Sequence, residues 1–140
     1  MSKVAVVFWS GTGNTKAMAD AVEAGAKNAG AEVAVFGPAD FNKDKMAEYD
    51  AVAFGCPAMG AEVLEEDEFD PMFTELEGSL GGKKIALFGS YGWGDGEWIR
   101  TWEDRCKAAG ANLATDFVMA NEMPGDEETK ACETLGAALA

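Results

Sequence analysis

Along this chain, short unbroken apolar runs alternate with stretches in which apolar residues recur every three or four positions. Val4 to Trp9 is apolar throughout, the pattern of a strand buried on both faces. Lys16 to Ala29 then sets Met18, Val22, Gly25, Ala26 and Ala29 on one helical face, and Gly30 supplies the stop. Glu32 to Phe36 predicts a second strand, followed by a short helix over Lys43 to Tyr49 with Asn42 as its cap. A third strand is expected over Ala51 to Gly55, then a helix over Pro71 to Leu80 and a fourth strand over Lys84 to Phe88. In Glu97 to Ala109, the residues Trp98, Trp102, Cys106 and Ala109 fall at helical spacing, and Gly110 ends the run. A fifth, uninterrupted strand at Asn112 to Ala120 and a helix at Glu127 to Leu139 complete the pattern.

Strands alternating with helices in this way imply an α/β fold, a three-layer doubly wound five-stranded parallel sheet with right-handed crossovers and helices on both faces. At 140 residues, without linker, repeat or low-complexity tract, a single domain over residues 1–140 is expected. Ligands of such folds sit beyond the carboxyl ends of the strands, where the strand order reverses. The loops after strands one, three, four and five are therefore the places for chemistry.

Composition narrows that chemistry. The chain carries 25 acidic and 11 basic residues, a net charge of −14, which disfavours nucleic acid and suits a basic protein partner. It has no histidine, which removes hydrolases that need an imidazole base and metal sites built on imidazole. Cys56, Cys106 and Cys132 are odd in number and lack CxxC spacing, against a disulfide framework, a zinc ribbon or a cysteine-ligated iron–sulfur cluster. They read as small buried side chains. No apolar run approaches the length of a membrane span, and the N-terminus shows no basic region followed by a cleavage site. A cytoplasmic protein without membrane contact is expected.

The loop after the first strand, "WSGTGNT", is rich in glycine and small polar residues and feeds a helix. Backbone N–H groups and a helix dipole can converge there on an anion without any basic side chain, and Ser10, Thr12, Asn14 and Thr15 can add donors. It lacks the GK[ST] ending of a triphosphate loop and the GxGxxG of a dinucleotide site, which favours a monophosphate over a triphosphate or a dinucleotide, with a plain strand-to-helix turn as the alternative. "CPAMGAE" follows the third strand, and "GSYGWGDGEW" follows the fourth with Tyr91 and Trp93 among glycines. Those aromatic residues either cap the sheet edge or lie flat against a ring. A planar aromatic ligand carrying a phosphate meets both requirements.

Together, "WSGTGNT", "GCPAMGAEVLEE" and "ALFGSYGWGDGEW" closely resemble short-chain flavodoxins of anaerobic bacteria, in order and spacing along the whole chain. The resemblance implies a flavodoxin-like fold with strand order 2-1-3-4-5 and one noncovalently bound FMN. It assigns Ser10, Gly11, Thr12, Gly13, Asn14 and Thr15 to the phosphate. Met59 is implied on the inner face of the flavin ring and Trp93 on the outer face. Pro57, Ala58, Gly60, Ala61 and Glu62 belong to the loop meeting the ring edge, while Ser90, Tyr91, Gly92 and Gly94 border the ring and ribityl chain. Asn121 and Glu122 match less distinctive positions near the cofactor. Pro57 departs from family members that carry a hydroxyl there, a loss expected to weaken phosphate binding without abolishing it.

The function so implied is that of a low-potential one-electron carrier, shuttling FMN between semiquinone and hydroquinone and delivering electrons to redox enzymes in place of ferredoxin. No substrate-converting active site is expected. In the family, the carbonyl at Gly60 turns toward flavin N5 on reduction, a peptide flip that glycine makes inexpensive. Glu62, Glu65, Glu66, Asp67, Glu68 and Asp70 crowd one short span, joined by Asp95, Glu97 and Glu122. At about 10 Å each would oppose a further negative charge by roughly 0.4–1.7 kcal/mol. The run also reads as a solvated helix face and can steer basic-faced redox partners, reductases and low-potential oxidoreductases, in transient docking. A monomer is expected. The enzymatic alternative is a small FMN-dependent quinone reductase, which would need a nicotinamide site.

Overall fold

The computed structural model describes residues 2–11, 13–59, 63–92 and 94–140. The expected positions Thr12, Gly60, Ala61, Glu62 and Trp93 lie outside them. Among the described residues, strands β1 (Lys3–Phe8), β2 (Glu32–Phe36), β3 (Ala51–Gly55), β4 (Lys84–Tyr91), β5 (Asn112–Leu113) and β6 (Val118–Asn121) alternate with helices α1 (Asn14–Asn28), α2 (Lys43–Met46), α3 (Phe69–Glu77), α4 (Glu97–Ala108) and α5 (Asp126–Leu139). All the strand pairs are parallel, in the order β2-β1-β3-β4-β5 with β6 also on β4. The doubly wound α/β architecture and the 2-1-3-4-5 order expected from the sequence are those observed.

Side chains alternate across the pleat and so split the interior into two layers. Ala5, Val7, Val52, Phe54, Ile85 and Leu87 face α3 and α4, whose Phe69, Phe73, Trp98 and Trp102 fill that layer. Val4, Val6, Ala51, Ala53, Ala86 and Phe88 face α1 and α5. On that side the helices pack closely. A Cβ on Gly25 would lie 2.0 Å from the Glu133 carbonyl oxygen, and one on Gly136 2.1 Å from that of Val22. Ala29, assigned to the buried face by periodicity, is instead the exposed C-cap of α1, because the chain turns away there through Gly30 at φ 98°.

Besides earlier ends of α2 at Met46 and α3 at Glu77 and an extension of β4 to Tyr91, the fifth strand and the start of the third helix differ from the sequence expectation for physical reasons. The fifth strand is interrupted. Leu113 pairs with Ile85 and Val118 with Phe88, so four residues, 114–117, span what Ala86 and Leu87 span on β4. The extra residues leave the ladder as a bulge does, and Ala114 N–H still reaches the Ile85 carbonyl at 2.9 Å. The third helix starts at Phe69, ahead of Pro71, because the Glu65 carboxylate receives the N–H groups of Glu68 at 2.8 Å and Phe69 at 2.7 Å. Those donors have no partner inside the helix, and Pro71 within the first turn lacks one altogether. Among the described residues, no helix is long and apolar enough to cross a membrane.

Candidate functional site

The carboxyl ends of β1, β3, β4 and β6 open into one cleft of about 260 Å³. It is lined by Trp9, Gly11, Asn14, Pro57, Ala58, Met59, Ser90, Tyr91, Gly92 and Glu122. Four loops far apart in sequence thus meet at the place a doubly wound sheet provides.

The first loop is organised around a hydroxyl. Ser10 Oγ receives the N–H of Gly13 at 3.0 Å and that of Lys16 at 3.4 Å. Gly13 holds φ 96°, a left-handed angle costly for a residue with a Cβ, and begins α1 without a side-chain cap. These two amides are taken up by a protein oxygen, while Gly11 and Asn14 bring the start of α1, the end of a helix that favours an anion, to the cleft. Lys16 adds no charge to the loop, because its ammonium group pairs with Asp20 at 3.1 Å on the exposed side of α1. Below the loop, Thr15 Oγ1 and Ser90 Oγ lie 3.2 Å apart, both almost wholly buried, and join α1 to β4.

The second loop continues the β3–β4 ladder beyond its last strand residue. Cys56 N–H donates to the Phe88 carbonyl at 3.2 Å and Ala58 N–H to that of Ser90 at 3.0 Å. The approach is so close that a Cβ on Gly89 would meet the Cys56 carbonyl oxygen at 2.2 Å. That carbonyl also accepts the Trp98 indole N–H at 3.0 Å, and the Trp98 ring lies 5.6 Å from Tyr91. Met59 then pairs antiparallel with Val63 through reciprocal N–H bonds of 2.9 and 3.0 Å. This wall of the cleft offers a thioether, a phenol ring and backbone polar groups, the partners of a flat heteroaromatic ring.

Of the expected positions, Gly11, Asn14, Pro57, Ala58, Met59, Ser90, Tyr91, Gly92 and Glu122 line the cleft together. Ser10, Gly13 and Thr15 stand behind it as loop supports. Gly94, at φ 85°, and Asn121, which pairs with Tyr91 at the end of β6, do not line it. Glu122 lies in the left-handed region at φ 56°, its N–H donating to the Tyr91 carbonyl at 2.7 Å. Strain of this kind in a residue with a Cβ clusters at functional sites.

One lining residue was missed. Trp9 was read as the end of a strand, but its ring lies against Gly11, where a Cβ would come within 2.9 Å of it. Its indole N–H donates to Glu68 at 3.0 Å. An aromatic residue two positions before a glycine in an anion loop was the available signal.

The acidic span is less uniform than its sequence suggests. Glu65 is buried and accepts backbone N–H groups, Glu68 receives the Trp9 indole, and Asp70 pairs with Arg105 at 2.8 Å. Glu66 and Asp67 are exposed, as are Asp95, Glu97 and Glu122. The three cysteines are buried, and burial pushes the thiols of Cys106 and Cys132 up to about 12, well away from a reactive thiolate at neutral pH.

Comparison with known proteins places this geometry. A model of the flavodoxin family matches residues 6–136. The chain is 47% identical over 137 residues to a flavodoxin of Megasphaera elsdenii, covering 98% of both chains. It is 43% identical over 136 residues to one of Clostridium beijerinckii, covering 96% of this chain and 97% of the relative. Among solved structures, the two-electron reduced flavodoxin of M. elsdenii aligns with a TM-score of 0.90 at 47% identity, over 97% of each chain. A flavodoxin from the domain Archaea aligns with a TM-score of 0.85 at 30% identity, over 99% of this chain and 96% of that one.

Proposed function

The chain belongs to the flavodoxin family, and from that premise we propose that its cleft binds FMN with the phosphate at the start of α1 and the ring against the wall that carries Met59 and Tyr91. That the protein is a small FMN-binding electron carrier follows from the family itself, and the quinone reductase alternative finds no support among its relatives. Bound FMN supplies a ring that takes up and releases electrons one at a time.

The observation carrying the site assignment is the position of Gly11 and Asn14, at the start of α1, in a cleft with an aromatic and thioether wall. Neutral amides at a helix start bind an anion without a counter-charge, so the loop needs no basic residue. Asn14 adds a side-chain amide within the cleft. Met59 and Tyr91 exclude water from the ring, and the exposed acids Glu66, Asp67, Glu97 and Glu122 oppose added electron density on it. These features support a low-potential carrier, and the proposed reading is completed by a monomer in the cytoplasm, one domain over residues 1–140, without a substrate-converting site of its own. The net charge of −14 supports transient docking of basic-faced redox enzymes, an attraction that salt weakens.

The test is parallel fluorescence titration of the flavin-free protein with FMN and with riboflavin. FMN should bind at least tenfold more tightly, a difference of about 1.4 kcal/mol. Equal affinities would remove the phosphate from the α1 loop, and retention of neither flavin would overturn the assignment.

A further inference from the structure

Among the described residues, three polar side chains are almost wholly buried: Thr15, Ser90 and Glu65. Thr15 and Ser90 satisfy each other. Glu65, 5% exposed, lies outside the cleft and takes its hydrogen bonds from the backbone. One carboxylate oxygen accepts the N–H groups of Glu68 at 2.8 Å and Phe69 at 2.7 Å, and the other accepts that of Asp67 at 2.8 Å. Its carbonyl accepts the Asp70 N–H at 2.8 Å, and its own N–H donates to Cys56 Sγ at 3.3 Å.

These bonds make Glu65 the point at which two elements of the site are tied together. Cys56 directly follows β3, Phe69 begins α3, and the paired residues Met59 and Val63 lie in the chain between Cys56 and Glu65. Met59 lines the cleft. We propose that Glu65 is the positioning residue of this pair: its carboxylate fixes the chain just after Val63 to the start of α3, its backbone N–H reaches Cys56 Sγ beside β3, and together they hold Met59 and Val63 against the flavin site. The proposal rests on the reading that FMN occupies the cleft.

The chemistry favours an ionised carboxylate over any other group of similar size. A carboxylate is an acceptor on both oxygens, whereas an amide has one donor end. In Glu65→Gln the oxygen can keep the Glu68 and Phe69 amides only by turning its NH2 group against the Asp67 N–H. A buried donor left facing a donor loses its bond and its hydration together. Glu65→Asp keeps the charge and withdraws the carboxylate by one methylene.

The test compares FMN-loaded wild type, Glu65→Gln and Glu65→Asp with Arg105→Met. That last change weakens the link of α3 to α4 by removing the ion pairs to Asp70 and Glu77 and touches neither Met59 nor Val63. Amide hydrogen exchange at Met59 and Val63 reads the segment directly, and spectroelectrochemical titration reads the midpoints of the two one-electron steps. Both Glu65 variants should speed exchange at Met59 and Val63 at least tenfold and change the separation of the two midpoints. Arg105→Met should lower the unfolding temperature with neither effect.

Wild-type exchange at both amides in the Glu65 variants would overturn the proposal. So would an equal response in Arg105→Met, or a shift of potential in Glu65→Gln alone, which would mark loss of charge and not of position. If Glu65→Gln does not fold, Glu65→Asp carries the comparison. If the wild type retains no FMN, the binding assignment fails, and exchange at Met59 and Val63 still decides the positioning role.

Discussion

On one face of the sheet, large aromatic rings interlock: Phe54 meets Phe73 edge-on at 5.2 Å, and Phe69 and Phe73 both meet Trp102 edge-on, at 5.5 and 5.6 Å. On the other face the layer is mostly Val and Ala, and α1 and α5 touch through Gly25 and Gly136. The two solutions hold different parts of the site. The aromatic face supports the ring wall, since Trp98 bonds the Cys56 carbonyl and lies beside Tyr91. The small-residue face sets the position of α1, whose first amides form the anion loop. Aromatic packing buries much area and has side chains that can shift when one is lost. Close helix packing has no such slack, because the atoms facing each glycine are backbone.

The largest stability effect is expected on the aromatic face. Phe73 is fully buried between Phe54, Phe69 and Trp102, and Phe73→Ala should cost about 3–5 kcal/mol in urea unfolding. It touches neither wall of the cleft, so the ratio of FMN to riboflavin affinity should stay as in wild type. A smaller stability loss with a larger functional signature is expected opposite. Gly136→Ala should cost about 1–3 kcal/mol, the range for overpacking, since a Cβ there would meet the Val22 carbonyl oxygen at 2.1 Å. By displacing α1 it should lower the FMN to riboflavin ratio several-fold. Should Phe73→Ala change that ratio as much as Gly136→Ala, the division of labour between the faces would be wrong.

The same division explains which parts could be read without a structure. Apolar runs and helical spacing are local, so the alternation from Val4 to Leu139 located the elements, and short glycine-rich loops located the cleft. What failed was set by partners elsewhere in the fold. The apolar positions of 112–120 look continuous, yet pairing with β4 admits two residues where four are present. Glu65 reads as one more acid in "LEEDE", and only burial with three backbone donors sets it apart. Glu65 lies three residues before the N-cap position Glu68, where no local capping pattern marks it. Trp9 looked like the end of a strand, because its contact with Gly11 depends on how the loop folds back.

The Thr15–Ser90 hydroxyl pair crosses between α1 and β4 under the cleft, with an Oγ1–Oγ distance of 3.2 Å. Ser90→Ala removes one hydroxyl and leaves the other buried without it, an expected loss of about 1 kcal/mol in stability. The FMN dissociation constant should rise, but by less than tenfold, as such an energy allows. Adding Thr15→Val removes the stranded hydroxyl as well, and an apolar pair of similar shape is close to neutral when both polar partners go. The double variant should therefore be at least as stable as Ser90→Ala alone, measured by thermal unfolding of the flavin-free protein. Losses that simply add would mean the hydroxyls act separately, and that α1 and β4 are held in register by packing without this bond.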